Sequence, residues 1–209
     1  MKPLAIFGSS GSAKEVFFLA KDLGVDVMAF VDLHEGGYLY DVPIISEEAF
    51  DSTKYYAVVA IGNPWLRKKI VDRLKAKDTD FLTLVHPSVK RSRRAVFIGS
   101  GSVVCAGSVL TCEIKLGCHC QLNSVTTIGH ECSLGDYFTT APGVNIAGGV
   151  TAGECVFFGI NSSSIQQISI ADNTFIGAHT CVTKNLSRSG MYLGTPAKWV
   201  PKEFMPEEK

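Results

Sequence analysis

The sequence predicts an α/β unit followed by an all-β solenoid, and three observations carry that expectation. Strand-like and helix-like segments alternate over residues 4–84. From Ile98 to Val182, eleven of the fifteen positions at a step of six are Ile, Leu or Val. The stretch 86–97 has neither pattern and reads as a linker between the two.

The α/β unit, residues 1–85, is read element by element. Leu4-Ala5-Ile6-Phe7 is a short apolar strand ending at Gly8. The stretch GSSGSAKEVFFLAKDLG follows. Its Ala13, Val16, Phe17, Ala20 and Leu23 recur at helical spacing, and Gly24 stops the helix. VDVMAFVD is a second strand ending at Asp32, and YYAVVAIG a third ending at Gly62. NPWLRKKIVDRLKAK is a second helix, with Asn63 as N-cap and Pro64 at its first position. FLTLV closes the unit. Strand–helix–strand order with short links implies a parallel sheet.

The second half is read by its step of six. The positions Ile98, Val104, Leu110, Leu116, Leu122, Ile128, Leu134, Thr140, Ile146, Ala152, Phe158, Ser164, Ile170, Ile176 and Val182 are almost all aliphatic. The residue after each is mostly Gly or Ala, and the fifth of each hexad is mostly Ser, Thr, Cys or Val. Three flat strands per coil satisfy that period. The aliphatic residue points inward, a small residue eases each corner, and eighteen residues make a coil. The span 98–187 then gives about five coils, and 188–209 is a C-terminal extension with a charged tail, MPEEK. An ordinary β-sandwich would show irregular turn spacing.

Composition narrows the function. The chain has 209 residues and a formal net charge of zero, so no global field draws it to nucleic acid or an anionic membrane. No apolar run reaches the ~18 residues of a membrane span. MKPLAIFGSSG does not read as a signal peptide, so a cytoplasmic protein is expected. The seven cysteines are odd in number and read as buried thiols rather than a disulfide framework. Cys118-His119-Cys120 lacks metal-ligand spacing.

Within the solenoid, Ile128-Gly129-His130-Glu131-Cys132-Ser133 carries an imidazole beside a carboxylate. A lone surface His is the plain alternative. Three features favour chemistry. Glu131 adjoins His130; Asn123 lies in the same eighteen-residue coil; Gly148, eighteen residues on, stacks over His130 with an unhindered N–H. A base, an amide side chain and an N–H within one or two coil rises make an acyl-transfer site. Cys132 falls on an inward position, which argues against a thiol nucleophile. Gly8-Ser9-Ser10-Gly11 lies between a strand and a helix N-terminus, where N–H groups favour a phosphate; a bare tight turn is the alternative. The basic run KRSRR, Lys90 to Arg94, is either a solvated linker or a phosphate contact. A metal-dependent γ-type carbonic anhydrase needs three convergent His, and His119, His130 and His179 do not fall one coil apart.

The combination of GSSGSAKEV and AIGNPWLRKKI with LNSVTTIGHECSLGDY, GINSSSIQQISIADNTFIGAHTCVTKN and GTPAKWV resembles the bacterial nucleotide-amino-sugar N-acetyltransferases, PglD-like enzymes of the UDP-4-amino-sugar type. The resemblance implies a Rossmann-like nucleotide-sugar-binding domain over 1–85 and a left-handed parallel β-helix over 98–187. It also implies a homotrimer with acetyl-CoA in the groove between solenoids, and no metal. The expected reaction is acetyl transfer to the amine of a nucleotide sugar, a UDP-4-amino-4,6-dideoxy sugar first among them. His130, Glu131, Asn123 and Gly148 match the catalytic positions. Gly8, Ser10, Gly11, Ser12, Asp32, Asn63 and Arg67 would serve the nucleotide sugar. Thr139, Gly159, Ile160, Asn161, Gly177, Ala178, Gly194, Thr195, Pro196 and Ala197 would serve acetyl-CoA. Ser12 and Thr139 stand where family members often have His, and Leu33 where a second acid is common. The rivals are O-acetylation of a sugar hydroxyl and a non-catalytic nucleotide-sugar-binding trimer.

Overall fold

The computed structural model describes residues 2–92 and 94–201. Its N-terminal half has β1 (Leu4–Phe7), α1 (Gly11–Asp22), β2 (Val27–Val31), β3 (Tyr38–Leu39), β4 (Val42–Ile45), β5 (Tyr56–Val59) and α2 (Pro64–Lys75). The sheet order is β3-β4-β2-β1-β5, with β3 antiparallel to β4 and the remaining pairs parallel. The sequence pattern missed β3 and β4, a short hairpin in a Gly- and Tyr-rich stretch with no alternation. Asn63 caps α2 by accepting the Leu66 N–H at 3.0 Å.

FLTLV does not close that sheet as a fourth strand. Phe81 makes a single bridge to Ala57, while Leu84–Val85 pairs with Val103–Val104 and opens the solenoid. Residues 86–97 are therefore not a linker. Lys90–Arg91 pairs with Val109–Leu110 and Val96–Ile98 with Ile114–Leu116, so the first coil begins before Ile98. Charged Lys90 and Arg91 hid it from a hydrophobic search. Arg93 of the basic run lies outside the described residues.

The solenoid is a left-handed parallel β-helix with three faces. The first runs from Leu84–Val85 through Gln121–Leu122 to Phe157–Phe158 and Thr174–Ile176; the second from Lys90–Arg91 through Thr127–Ile128 to Cys181–Val182; the third from Val96–Ile98 through Ser133–Leu134 to Ser169–Ile170. The second face has six strands, one coil more than the hexad search gave. From Val96 to Val182 register is eighteen residues per coil, as Leu110 pairs with Ile128 and Ile128 with Ile146, whereas Leu84–Val85 and Lys90–Arg91 lie nineteen residues before their partners. The inward column, including Leu116, Leu122, Ile128 and Ile146, is buried. Each such side chain contributes ~1.5–3 kcal/mol of burial. Beyond Val182 the chain does not leave the coil at once. Gly190–Leu193 adds to the first face, and Lys198–Val200 folds back antiparallel to it. The tail MPEEK lies outside the described residues.

Corners are not eased by the small second residue of the hexad. The backbone turns at the fourth residue, where Glu113, His119, Val125, Glu131, Tyr137 and their successors have φ near +55 to +60°. The second-position glycines answer a different need, the close stacking of coils. An ideal Cβ on Gly129 would lie 2.5 Å from the Gly148 nitrogen, and one on Gly159 2.6 Å from the Ala178 nitrogen.

The α/β unit docks on the first face and on the corner between the third and first faces. Arg67 of α2, 1 % exposed, donates from Nε to the His119 carbonyl at 2.9 Å and from Nη2 to the Tyr137 carbonyl at 3.0 Å. It also donates to the Ile61 carbonyl and to Thr139 Oγ1. Trp65 Nε1 donates to Asn173 Oδ1 at 2.9 Å, and Lys68 pairs with Glu154 at 2.7 Å. Gln121 Nε2 donates to the Val59 carbonyl at 2.8 Å.

Candidate active site

Two corner columns carry the expected residues. Ile128, Ile146, Ser164 and Val182 are in register, so the residues two positions later, His130, Gly148, Gln166 and Lys184, stack along the corner between the second and third faces. Leu122, Thr140, Phe158 and Ile176 are likewise in register, so Asn123, Ala141, Gly159 and Gly177 stack along the corner between the first and second faces.

His130 and Gly148 come together as the spacing requires. The His130 ring covers Gly148; an ideal Cβ there would lie 2.5 Å from Nε2, so glycine is needed beneath the imidazole. The left-handed backbone at Glu131 (φ 58°) turns its carboxylate back to His130 Nδ1, 2.8 Å away. That bond orients the ring and leaves Nε2 as the free nitrogen. Among the described residues the Gly148 N–H has no acceptor, whereas the Gly149 N–H donates to the His130 carbonyl at 2.7 Å. His130 is exposed, and Cys132 behind it is buried with its Sγ–H donating to the Ala147 carbonyl. Burial pushes that thiol up, which suits a packing residue and not a nucleophile.

Asn123 does not join them in one chain. It stands one corner away, and six residues at ~3.3 Å each put successive corners up to roughly 20 Å apart. Its Oδ1 accepts the Ser124 N–H at 2.7 Å. It lines a cavity of about 360 Å³ between α1 and the first face, with Gly11, Ser12, Glu15, Cys105 and Thr139. Gly159, Ile160, Asn161, Gly177 and Ala178 lie on the Asn123 corner, not on the His130 corner. Gly194, Thr195, Pro196 and Ala197 form the turn between the last two strands of the first face; the Gly194 N–H donates to Thr180 Oγ1 at 3.1 Å.

At the Gly-rich turn, Gly8 has φ +110° and donates to the Val31 carbonyl at 2.8 Å. Ser10 is the N-cap of α1 without a side-chain bond, so the N–H groups at Gly11 and Ser12 remain open to an anion. Asp32 accepts from Ser9 Oγ at 2.6 Å and from the Leu33 N–H at 2.7 Å, and so pins that turn. Asn63 engages its carbonyl oxygen as the α2 cap.

Two expected ligand contacts are structural instead. Arg67 is buried and its guanidinium is taken up by three carbonyls and a hydroxyl, so it welds the two halves and does not reach a nucleotide. Burial pushes it down to about 10, still cationic at neutral pH. Thr139 receives one of those donors and donates to the Tyr137 carbonyl at 2.8 Å, so its hydroxyl is engaged although it lines the cavity. Glu15 was missed by motif reading. The available signal was helical spacing, since it falls four residues after Gly11 on the face that bears Gly11 and Ser12. No group of three His, Cys, Asp or Glu that could hold a metal occurs among the described residues.

Comparison with known proteins covers both halves. Residues 3–74 match the family described as the PglD N-terminal domain. GDP-perosamine N-acetyltransferase of Escherichia coli is 24 % identical over 93 % of this chain and 84 % of its own. UDP-N-acetylbacillosamine N-acetyltransferase of Bacillus subtilis is 45 % identical over 49 residues, 23 % of this chain and 22 % of its own. Among solved structures, a variant of perosamine N-acetyltransferase from Caulobacter crescentus in complex with CoA and GDP-perosamine superposes with a TM-score of 0.90. It is 28 % identical, over 94 % of this chain and 95 % of that one. The acetyltransferase domain of PglB from Neisseria gonorrhoeae in complex with acetyl coenzyme A gives 0.88 at 28 % identity, over 95 % and 99 %.

Proposed function

We infer that this chain, a PglD-like nucleotide-amino-sugar N-acetyltransferase, moves the acetyl group of acetyl-CoA to the amine of a nucleotide-linked amino sugar, with a UDP-4-amino-4,6-dideoxy sugar as the leading acceptor. The observation that carries the catalytic reading is the exposed His130–Glu131 pair set over a Gly148 N–H that has no acceptor among the described residues. The amine nitrogen attacks the thioester carbonyl. A C–N bond forms, the C–S bond breaks, and His130 Nε2 takes the proton that nitrogen loses. The Gly148 N–H steadies the tetrahedral oxyanion, and the proton passes to the departing thiolate. A base of this kind is worth ~10²–10⁴-fold and an oxyanion donor about 10²–10³-fold.

The chain works as a homotrimer in this reading, because each protomer separates its two half-sites. The Asn123 corner borders the cavity at the N-terminus of α1, and the His130 corner lies open one face away. A neighbour's His130 column set against the Asn123 column completes one site. Acetyl-CoA then runs between the columns, its thioester near His130. Lys184, three coils along at ~4.8 Å each, lies within reach of the phosphates across the length of the pantetheine arm. The nucleotide's diphosphate meets the open N–H groups of α1, and the hexose occupies the 360 Å³ cavity. No described helix is long and apolar enough to cross a membrane, and the described cysteines are free. Both fit a cytoplasmic enzyme.

The test follows free thiol with acetyl-CoA and UDP-, GDP- or dTDP-linked 4-amino-4,6-dideoxyhexoses, beside the corresponding 4-hydroxy sugars. Thiol release is expected with an amine acceptor only. Release with hydroxyl acceptors alone would favour O-acetylation, and acetyl-CoA binding without turnover on either would leave a binding protein.

A further inference from the structure

The acceptor cavity has a charge that acetyl transfer does not itself demand. Of the residues lining it, Glu15 alone carries one. Its carboxylate engages no hydrogen-bond or ion-pair partner among the described residues. Glu15 faces Cys105, whose thiol is pushed up to about 11 by burial with a further contribution from this carboxylate. Cys105 follows Val103–Val104 on the first face, and Val104 pairs with Leu122, so Asn123 stands one coil from Cys105. A bare carboxylate and a carboxamide thus border one hexose-sized space.

That anion sorts the ligand. The open N–H groups at the start of α1 attract a diphosphate, and a carboxylate one turn along repels it. The hexose, which carries no anion, is the part that can lie against Glu15. A carboxylate only accepts hydrogen bonds, so its partner must donate. Holding the ammonium would favour the form of the amine that cannot attack a thioester, and a neutral amine N–H is a weaker donor than a hydroxyl, so a ring hydroxyl is the stronger productive donor.

We propose that Glu15 is a specificity-determining residue that accepts a hydrogen bond from a ring hydroxyl of the nucleotide-linked 4-amino hexose, so that hydroxylated acceptors are preferred over deoxygenated ones. It rests on the acetyl-transfer reading above. Wild type and Glu15→Gln are compared by thiol release on the UDP-, GDP- or dTDP-linked 4-amino-4,6-dideoxyhexose that wild type uses best, and on its 2-deoxy and 3-deoxy analogues. Removing the hydroxyl that Glu15 reads should lower wild-type kcat/KM by about 10- to 100-fold. Glu15→Gln should lose a similar factor on the parent sugar, change by less than about threefold on that analogue, and keep its KM for acetyl-CoA. No loss in the variant, or an equal loss on all three acceptors, overturns the assignment while leaving acetyl transfer intact. No turnover by wild type on any amino sugar removes both. Glu15 is exposed, so an unchanged Tm accompanies the expected result.

Discussion

His119 and His130 stand on different corners of the same solenoid, and each ring covers a glycine of the adjacent coil, Gly101 and Gly148 respectively. Their fates diverge because of what lies against them. His119 is 2 % exposed, edge-on to Phe81 with centroids 4.6 Å apart and stacked on Tyr137 at 5.5 Å. Its Nδ1 has no partner among the described residues, and burial pushes the imidazole down to about 4, with the Lys75 and Arg67 charges acting in the same direction and Asp136 against. His130 has solvent on its outer side and a carboxylate 2.8 Å away. One corner is sealed by the α/β unit and became core; the other was left uncovered and kept an exposed imidazole. A corner position over a glycine therefore does not assign a role by itself, and docking does.

The largest test of that contrast is His130→Ala. It should lower kcat by about 10²–10⁴-fold with little change in melting temperature, read by steady-state kinetics and thermal denaturation. A near-normal kcat would remove His130 as the base. Arg67→Met attacks the sealed corner. It leaves the carbonyls of His119, Ile61 and Tyr137 without their donor, and should cost about 3 kcal/mol of stability in urea unfolding. An unchanged midpoint would show that the weld is dispensable.

The gentlest per-step effect is the pH dependence of stability. The folded pKa of His119, about 4, lies below an unfolded value of about 6.5. Between those values the unfolded chain binds a proton that the folded chain does not. Stability should therefore fall as pH drops through that window, by up to ~1.4 kcal/mol per pH unit. His119→Gln should flatten the slope. Equal slopes in wild type and His119→Gln would show that the buried ring does not set it.

Much of this was legible in the residues. The step of six found every coil with an aliphatic inward position, because burial of that column is a property of the chain's own pattern. It passed over the first coil, whose second face is made by Lys90 and Arg91 and whose first two strands lie nineteen rather than eighteen residues before their partners, so a step of six back from Ile98 lands on Ser92 and His86 instead of Arg91 and Val85. The stacking of Gly148 beneath His130 followed from arithmetic alone. Arg67 and Thr139 could not be placed that way. Their role arises from contact between residues 52 to 72 positions apart, and a buried guanidinium looks in sequence like a ligand-binding one. The separation of Asn123 from His130 was hidden for a related reason. A shared coil means a shared height on the prism, not a shared corner.

The stacked corners also set a scale. Positions along the His130 column advance only in whole coils, so Lys184 can be brought nearer to the imidazole, or moved farther, by eighteen residues at a time and never by fewer. A loop can drift by a residue under mutation; this prism behaves as a graduated rule with one mark every ~4.8 Å. If acetyl-CoA lies along this column as proposed, the backbone spacing between its reactive and anionic contacts can change only in whole coils, with the Lys184 side chain left to take up any smaller difference.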